Sequence, residues 1–152
     1  MPEVQPRVER QGEVIVVGQA PSKTSDPRRP LSGRSGRRLC ALLGVTSLRA
    51  FRCVNLIQRY PGAASGKGDK FNPTRARRAA HRLIAENQGE VFLLLGRGVA
   101  QAFNLRMPFF EWRDVHGVKV GVIPHPSGVN FMYNDPTVRD QVAPFVRKVA
   151  AC

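Results

Sequence analysis

The sequence predicts an α/β protein: a single domain of three layers, with helices on both sides of a central, mainly parallel four-stranded sheet. Three observations support this class. Short apolar runs alternate with helical patterns along the chain. Each run is short enough for a strand that is buried on both faces. The length of 152 residues suits one domain with a real core. We expect a flexible lead-in over residues 1–12 and the folded domain over residues 13–152.

The first half of the chain contains two predicted strands and one helix. The first strand is predicted at Val14–Val17, and a polar loop rich in proline follows it. A helix then begins near Ser35 and ends at Gly44, because leucines recur there at helical spacing and glycine commonly ends a helix. The second buried strand is predicted at Phe51–Ile57, before a Gly-rich loop over residues 59–73.

The second half repeats the alternation. A helix with an apolar side is predicted over residues 74–87. The strand Glu90–Leu95 and a short helix through Phe103 come next. The last predicted strand is Val118–Ile123, and a helix over roughly Thr137–Ala150 completes the domain.

The charge balance indicates a polyanionic partner. Lysine and arginine number 24 against 11 aspartates and glutamates, which gives a formal net charge of +13. Such a surplus points to nucleic acid or to an acidic membrane surface. The arginines are spread over several segments, which favours a folded basic face over a disordered arm. No apolar run approaches the ~20 residues of a membrane span.

The cysteines indicate neither a disulfide framework nor a metal site. Cys40, Cys53 and Cys152 form no CxxC pair, and the N-terminus has no signal-peptide pattern. We therefore expect a protein of the reducing cytoplasm, associated with the nucleoid if it is bacterial. Zinc or an iron–sulfur cluster needs about four spaced ligands. No metal or other cofactor is predicted.

Three polar segments follow predicted strands and should meet at one edge of the sheet. They are QAPSKTSD, NLIQRYPG and HPSGVN. In the third, His125 comes directly after a strand, and the Ser-Gly turn offers backbone N–H groups to a phosphate. Taken singly, each residue also has a structural explanation. A histidine in a turn often serves packing, and Asn55 at a strand end can simply form a turn.

Together and in this order, the three motifs resemble the uracil-DNA glycosylase superfamily, most closely its thermostable bacterial branch, family 4. GQAPS…SD…RPLSGRSG is similar to that branch's GE(A/G)PG…ED…G.PFVG.AG. RCVNLIQRYP is similar to TN(V/I)VKCRPP, and VIPHPSGVN to a strand followed by HPS. The similarity spans roughly residues 13–150, so it implies the fold of the whole domain.

The resemblance implies a role for each matching residue. Asn55 falls where the family reads the edge of a flipped base, and His125 falls where it meets the O2 side of that base. The stretch Gly128–Phe131 would push into the gap left in the base stack. The other implied substrate-pocket residues are Gly18, Ala20, Pro21 and Leu31, and the implied DNA contacts are Ser127, Gly128, Asn130, Arg34 and Arg59.

The chain also departs from the family pattern. Gln19 replaces the acidic residue of the first motif, and Asp26 keeps the aspartate of the ED pair. Leu31 replaces the phenylalanine that stacks on the base. Arg59 replaces a cluster cysteine, so the resemblance implies no iron–sulfur cluster here.

The function implied is monofunctional removal of uracil, or of a related modified or deaminated base, from single- or double-stranded DNA by a monomer. His125 would assist the departing base, and Asp26 or Gln19 would place the water. Two alternatives remain open. One is a non-catalytic or differently specialised DNA-binding protein on the same fold. The other is an α/β enzyme acting on a small molecule or a nucleotide.

Overall fold

The computed structural model of the protein describes residues 14–22, 25–26, 28–62, 71–127 and 130–150. The predicted lead-in over residues 1–12, most of the predicted loop 59–73, and Gly128 lie outside these ranges. In chain order the elements are β1 (Ile15–Gly18), α1 (Arg34–Leu43), β2 (Arg52–Asn55), α2 (Pro73–Glu86), β3 (Val91–Leu95), α3 (Arg97–Ala102), β4 (Trp112–Val115), β5 (Val118–Ile123), α4 (Pro136–Arg139) and α5 (Val142–Arg147). A 3-10 turn, Phe131–Asn134, precedes α4.

The strands form one sheet in the order β2-β1-β3-β5-β4. β1 pairs in parallel with both β2 and β3, and β3 pairs in parallel with β5. Only β4 is antiparallel, to β5. The predicted α/β class with a mainly parallel sheet is confirmed, with five strands in place of four.

Alternate residues of the central strands build two separate core layers. On one face of the sheet, Val16 packs in a cluster with Leu39 of α1 and Val146 of α5. On the other face, Val17 packs in a cluster with Ala80 of α2. All five of these side chains are almost completely buried. The sheet is therefore the middle layer of three, with α1 and α5 on one side and α2 and α3 on the other.

The prediction of four strands missed β4, and it treated β2 as fully buried. β4 has the sequence WRDV, whose charged middle gives no apolar run, and it reaches β5 through a tight turn at His116 and Gly117. Both turn residues have positive φ, 50° and 82°, which is the geometry of a two-residue hairpin turn. β2 spans only Arg52–Asn55 and lies at the sheet edge, where Arg52 is exposed.

The prediction of one continuous last helix over Thr137–Ala150 was also wrong. The chain forms the short helices α4 and α5, with a turn at Asp140 and Gln141 between them. Pro144 explains the break. It has no N–H for the carbonyl of Asp140, and its ring clashes with that carbonyl in a continuous helix.

Candidate active site

A cavity of ≈ 400 Å³ opens at the carboxyl edge of the sheet. Helix α1 follows β1 on one face and α3 follows β3 on the other, so the loops after these two neighbouring strands diverge. Open α/β sheets place their ligand sites at such a divergence. The volume is in the range of small-molecule pockets. The predicted site residues that line the cavity together are Gly18, Gln19, Ala20, Pro21, Leu31, Arg34, Asn55, His125 and Ser127.

Asn55 presents an unused amide to this cavity. It is the last residue of β2, and only 5% of it is exposed. Asn87, the other buried polar residue in the described ranges, is satisfied, because its side chain accepts from Arg52 and donates to the carbonyl of Leu83. No described residue bonds to the Asn55 side chain, and no described side-chain N or O is sealed off without a partner. The Asn55 amide therefore faces the cavity with its donor and its acceptor free.

Gly18 leaves the space that the Asn55 amide occupies. The two residues are directly paired across β1 and β2. A Cβ atom added to Gly18 would lie 2.7 Å from Oδ1 of Asn55 and 3.5 Å from Cδ2 of Leu31. Real Cβ atoms do not approach so closely, so any side chain at position 18 would displace the amide. Glycine at this position therefore sets where the amide points.

Leu31 forms an apolar wall of the cavity from an unusual backbone conformation. Its φ is 61°, in the left-handed region that non-glycine residues seldom adopt. Helix α1 approaches this backbone so closely that a Cβ atom added to Gly36 would lie 1.7 Å from the carbonyl oxygen of Leu31. Strained positions of this kind occur often at ligand sites. The packing of Gly36 holds Leu31 in place beside the Asn55 amide.

His125 reaches the cavity from the loop after β5. Its Nδ1 atom accepts a hydrogen bond from the backbone N–H of Ser127 at 3.0 Å. Burial lowers the pKa of the His125 imidazole from its usual 6.5, so the ring is neutral at pH 7. A neutral ring that accepts at Nδ1 carries its proton at Nε2. Gly96, with φ 94°, lies directly behind the ring, where an added Cβ atom would come within 3.0 Å of the His125 Cβ.

Two residues that sequence analysis did not single out fix the loop around His125. Tyr133 is buried, and its hydroxyl donates to the carbonyl of Pro124. Arg38 of α1 donates from Nη1 to the carbonyl of Ser127 at 2.9 Å, and its guanidinium lies 5.5 Å from the centre of the Tyr133 ring. Neither residue belongs to a motif, and only folding brings α1 next to this loop. No local pattern in the sequence predicts their contribution.

The two candidates for placing water lie in different environments. Gln19 lines the cavity directly after β1. Asp26 is exposed and does not line it. Its Oδ1 accepts from the N–H of Arg28 at 2.9 Å, and its own N–H donates to Oγ of Ser32 at 3.0 Å. These contacts shape the loop. Among the described residues that line the cavity there is no carboxylate.

The residues predicted to contact DNA are similarly divided. Arg34 and Ser127 line the cavity, whereas Arg59 is exposed and does not. Asn130 organises its own loop, because its side chain donates to the carbonyl of His125 at 2.9 Å and accepts from the N–H of Met132 at 3.1 Å. Gly128 is outside the described residues.

The turn that follows the His125 loop exposes apolar side chains. Phe131 is 67% exposed and Met132 is 42% exposed. They are the exposed large apolar residues of the described ranges. Two adjacent exposed side chains of this kind are suited to contact with an apolar partner.

The fold and the cavity define an α/β protein with a candidate ligand site at the carboxyl edge of its sheet. The sequence matches the uracil DNA glycosylase superfamily over residues 6–148, nearly its whole length, and the chain belongs to that superfamily. DNA is the partner that this membership implies. No curated protein matches the sequence significantly.

The described residues contain neither a helix that could span a membrane nor a cluster that could hold a metal ion. Their helices are all too short or too polar to cross a membrane. No three His, Cys, Asp or Glu side chains within the described ranges are grouped so that they could hold a metal ion.

Proposed function

We propose that the protein is a monofunctional DNA glycosylase. It hydrolyses the N-glycosidic bond of uracil, or of a related deaminated or modified base, after that base has flipped out of DNA. The observation that carries the proposal is the convergence of a free Asn55 amide and a neutral His125 imidazole on one cavity. Enzymes that act on flipped bases use such pockets and recognise the Watson–Crick edge by hydrogen bonds.

Asn55 provides the base recognition in this proposal. Its amide donates to the carbonyl at C4 of uracil and accepts from N3–H. Cytosine presents the opposite pattern, an amino group at C4 and an unprotonated N3, and is rejected. Leu31 supplies an apolar surface against the face of the base, next to the amide.

His125 provides the assistance to the leaving group. When the N-glycosidic bond breaks, negative charge develops on the base and is shared by its O2 atom. A hydrogen bond from Nε2–H of a neutral imidazole stabilises that charge, most effectively in a site from which water is excluded. The bond from Ser127 N–H to Nδ1 supports this role, because it keeps the proton on Nε2.

Gln19 positions the attacking water. The sugar gains oxocarbenium character as the base leaves, and related reactions place a carboxylate nearby. Asp26 is exposed and engaged in its loop, which favours Gln19 as the residue that holds the water by its amide. An amide orients water but does not take its proton, which passes to solvent or to the released base anion, so we expect slow hydrolysis compared with an enzyme that has a carboxylate there.

The surface around the cavity holds the DNA. The net charge of +13 attracts the phosphates. Arg34 and Ser127 are at the cavity, where they contact the backbone beside the flipped nucleotide. The exposed Phe131 enters the space that the flipped base leaves in the stack.

Base release from defined oligonucleotides tests the proposal. The protein is incubated with strands carrying uracil, hypoxanthine, xanthine or 5-hydroxymethyluracil, and alkali then cleaves any abasic site. We expect cleavage for at least one base, and no release from the free nucleoside. His125→Ala should slow release by about 100- to 1000-fold, the usual cost of one lost donor to a developing anion. Its affinity for DNA should match that of the wild type. If no strand is cleaved, the proposal is wrong.

A non-catalytic DNA-binding protein on the same fold is the second candidate. The observation that favours it is that no carboxylate is found among the described residues lining the cavity. This candidate predicts salt-sensitive DNA binding, a preference for strands that carry the recognised base, and no abasic product from any of the four oligonucleotides.

A further inference from the structure

A groove of ≈ 790 Å³ lies beside this cavity, between helix α2 and the segment 54–58, which comprises the end of β2 and the residues that follow it. β2 and β3 are both parallel to β1, so the helix that connects them must run back antiparallel to both strands. Its N-terminal end therefore lies at the same sheet edge as the cavity. Asn55 lines the groove as well as the cavity, so the two concavities meet at this residue.

The helical wall of this groove carries a row of arginines. Arg75, Arg78 and Arg82 line it at spacings of three and four residues, which puts them on one face of α2 over about 10 Å. His81 lines the groove too. The only described carboxylate in the lining is that of Glu86, at the end of the helix farthest from the cavity. Within the described ranges none of the three arginines forms an ion pair.

The helix presents these arginines from a fixed position. The Asn72 side chain caps its start by accepting from the N–H groups of Thr74 and Arg75, at 3.1 and 3.2 Å. On the opposite face, Ala76 and Ala80 are 0% and 1% exposed and anchor the helix in the core. The backbone that carries the three arginines is therefore fixed in place, and the row begins beside the cavity that Asn55 lines.

We infer that this groove binds the phosphodiester backbone of a single DNA strand, on one side of the flipped nucleotide. Guanidinium groups without partners are the preferred protein ligands of phosphate oxygens. A positively charged groove that follows the backbone is the common device of single-strand binding. A slot bounded by one helix and one loop segment suits one strand better than a duplex. The inference rests on the proposed function, since the strand is the one whose base enters the cavity.

The test compares two triple variants with equal loss of charge. R75A/R78A/R82A removes the row, and R49A/R77A/R106A removes three exposed arginines that do not line the groove. Alanine suits the exposed face of a helix, so α2 should stay intact in both variants. Circular dichroism and thermal unfolding verify the fold of each. Binding is measured by fluorescence anisotropy with a labelled single strand of thymidines, which carries no base for removal.

The row variant should bind this strand on the order of 10- to 100-fold more weakly at low salt. The slope of log affinity against log salt should become shallower by about 2, the value for three lost contacts to a single strand. The control variant should retain most of the wild-type slope. Equal losses in the two variants would mean that only net charge matters, and would overturn the inference. The inference would also be overturned if the row variant lost affinity for a labelled duplex but kept its affinity for the single strand.

The design separates this inference from the proposed function. The thymidine strand reports binding without catalysis. If the protein releases no base but the row variant alone loses affinity, glycosylase activity is wrong and the groove still binds a strand. If uracil is released and both triple variants bind the strand equally, the glycosylase stands and the groove does not guide the strand.

Discussion

The backbone N–H of Ser127 lies 3.0 Å from Nδ1 of His125 and donates to it. This bond exists only while Nδ1 is unprotonated. Arg38 holds the carbonyl of the same serine at 2.9 Å, so a cation on α1 stabilises the backbone that selects the histidine tautomer. The proton on Nε2 is thereby available to the cavity, where we propose that it meets the departing base.

Base release should therefore be lost in acid, with a midpoint below pH 6.5. Protonation of His125 places a hydrogen on Nδ1 against the Ser127 N–H, and two donors then face each other. Burial lowers the pKa of the imidazole from 6.5, so the neutral and active form should persist below that pH. Single-turnover rates across the acid range give the midpoint. A midpoint at or above 6.5 would contradict this assignment.

The free energy of unfolding should also depend on pH through His125. The unfolded His125 takes up its proton near pH 6.5, whereas the folded one does so only at lower pH. Its contribution to the free energy of unfolding is therefore complete above pH 6.5 and declines as the pH falls toward the lowered value. Denaturant unfolding of the wild type and of His125→Gln, which cannot titrate, should diverge in this window and run parallel above it.

Asn55→Asp should change the choice of base. The carboxylate accepts where the amide donated, so it repels the C4 carbonyl of uracil and can accept from the amino group of cytosine. Uracil release should fall about 100-fold if one contact worth roughly 3 kcal/mol is lost. Asn55→Ala is the control for simple loss of contact, and it should weaken release without favouring cytosine. Near-wild-type release of uracil by the aspartate variant would show that Asn55 does not recognise the base.

Gln19→Glu and Asp26→Asn should separate the two candidate positions for water. Gln19 lines the cavity, so Gln19→Glu brings a carboxylate to the developing charge on the sugar and should accelerate release, on the order of 10-fold or more. Asp26 is exposed and forms its loop, so Asp26→Asn should change the rate less than about threefold. The opposite ranking in single-turnover assays would transfer the role to Asp26. If neither substitution changes the rate, hydrolysis does not occur at the end of β1.

Gly18→Ala and Gly36→Ala form a matched pair of one-methyl additions with different consequences. At Gly18 the new methyl meets the movable Asn55 side chain at 2.7 Å, so uracil release should fall about 10- to 100-fold while stability changes little. At Gly36 it meets the backbone oxygen of Leu31 at 1.7 Å, which a side-chain rotation cannot relieve. That variant should lose about 1–3 kcal/mol of stability. Thermal unfolding and base release on both variants distinguish the two effects.

The strands of the core were predictable because each is an apolar run with a clear end. β3 and β5 are found within one residue of their predicted positions. β4 was not predictable. A short edge strand with a charged centre is stabilised by its pairing with β5 and by the turn at His116, not by its own composition. The last helix was wrongly predicted to be continuous, although Pro144, the residue that interrupts it, was visible in the sequence.

The grouping of the candidate residues was predictable where strands deliver them to one edge of the sheet. Gly18, Asn55 and His125 meet because parallel strands end on the same side. The supporting contacts were not predictable, since Arg38 reaches Ser127 across 89 residues of sequence. The position of Asp26 also depends on how its loop closes on Ser32, which residue type alone does not determine.

The end of β5 is the last of the three strand ends that reach the cavity, and this order has a consequence for synthesis. β1 and β2 leave the ribosome early, but β3 and β5 must be made and paired before His125 lines the cavity with Asn55. Contacts between such distant segments form slowly. A nascent chain therefore holds the Asn55 amide long before it holds the His125 imidazole. The two side chains line one cavity only when the final third of the chain has joined the sheet.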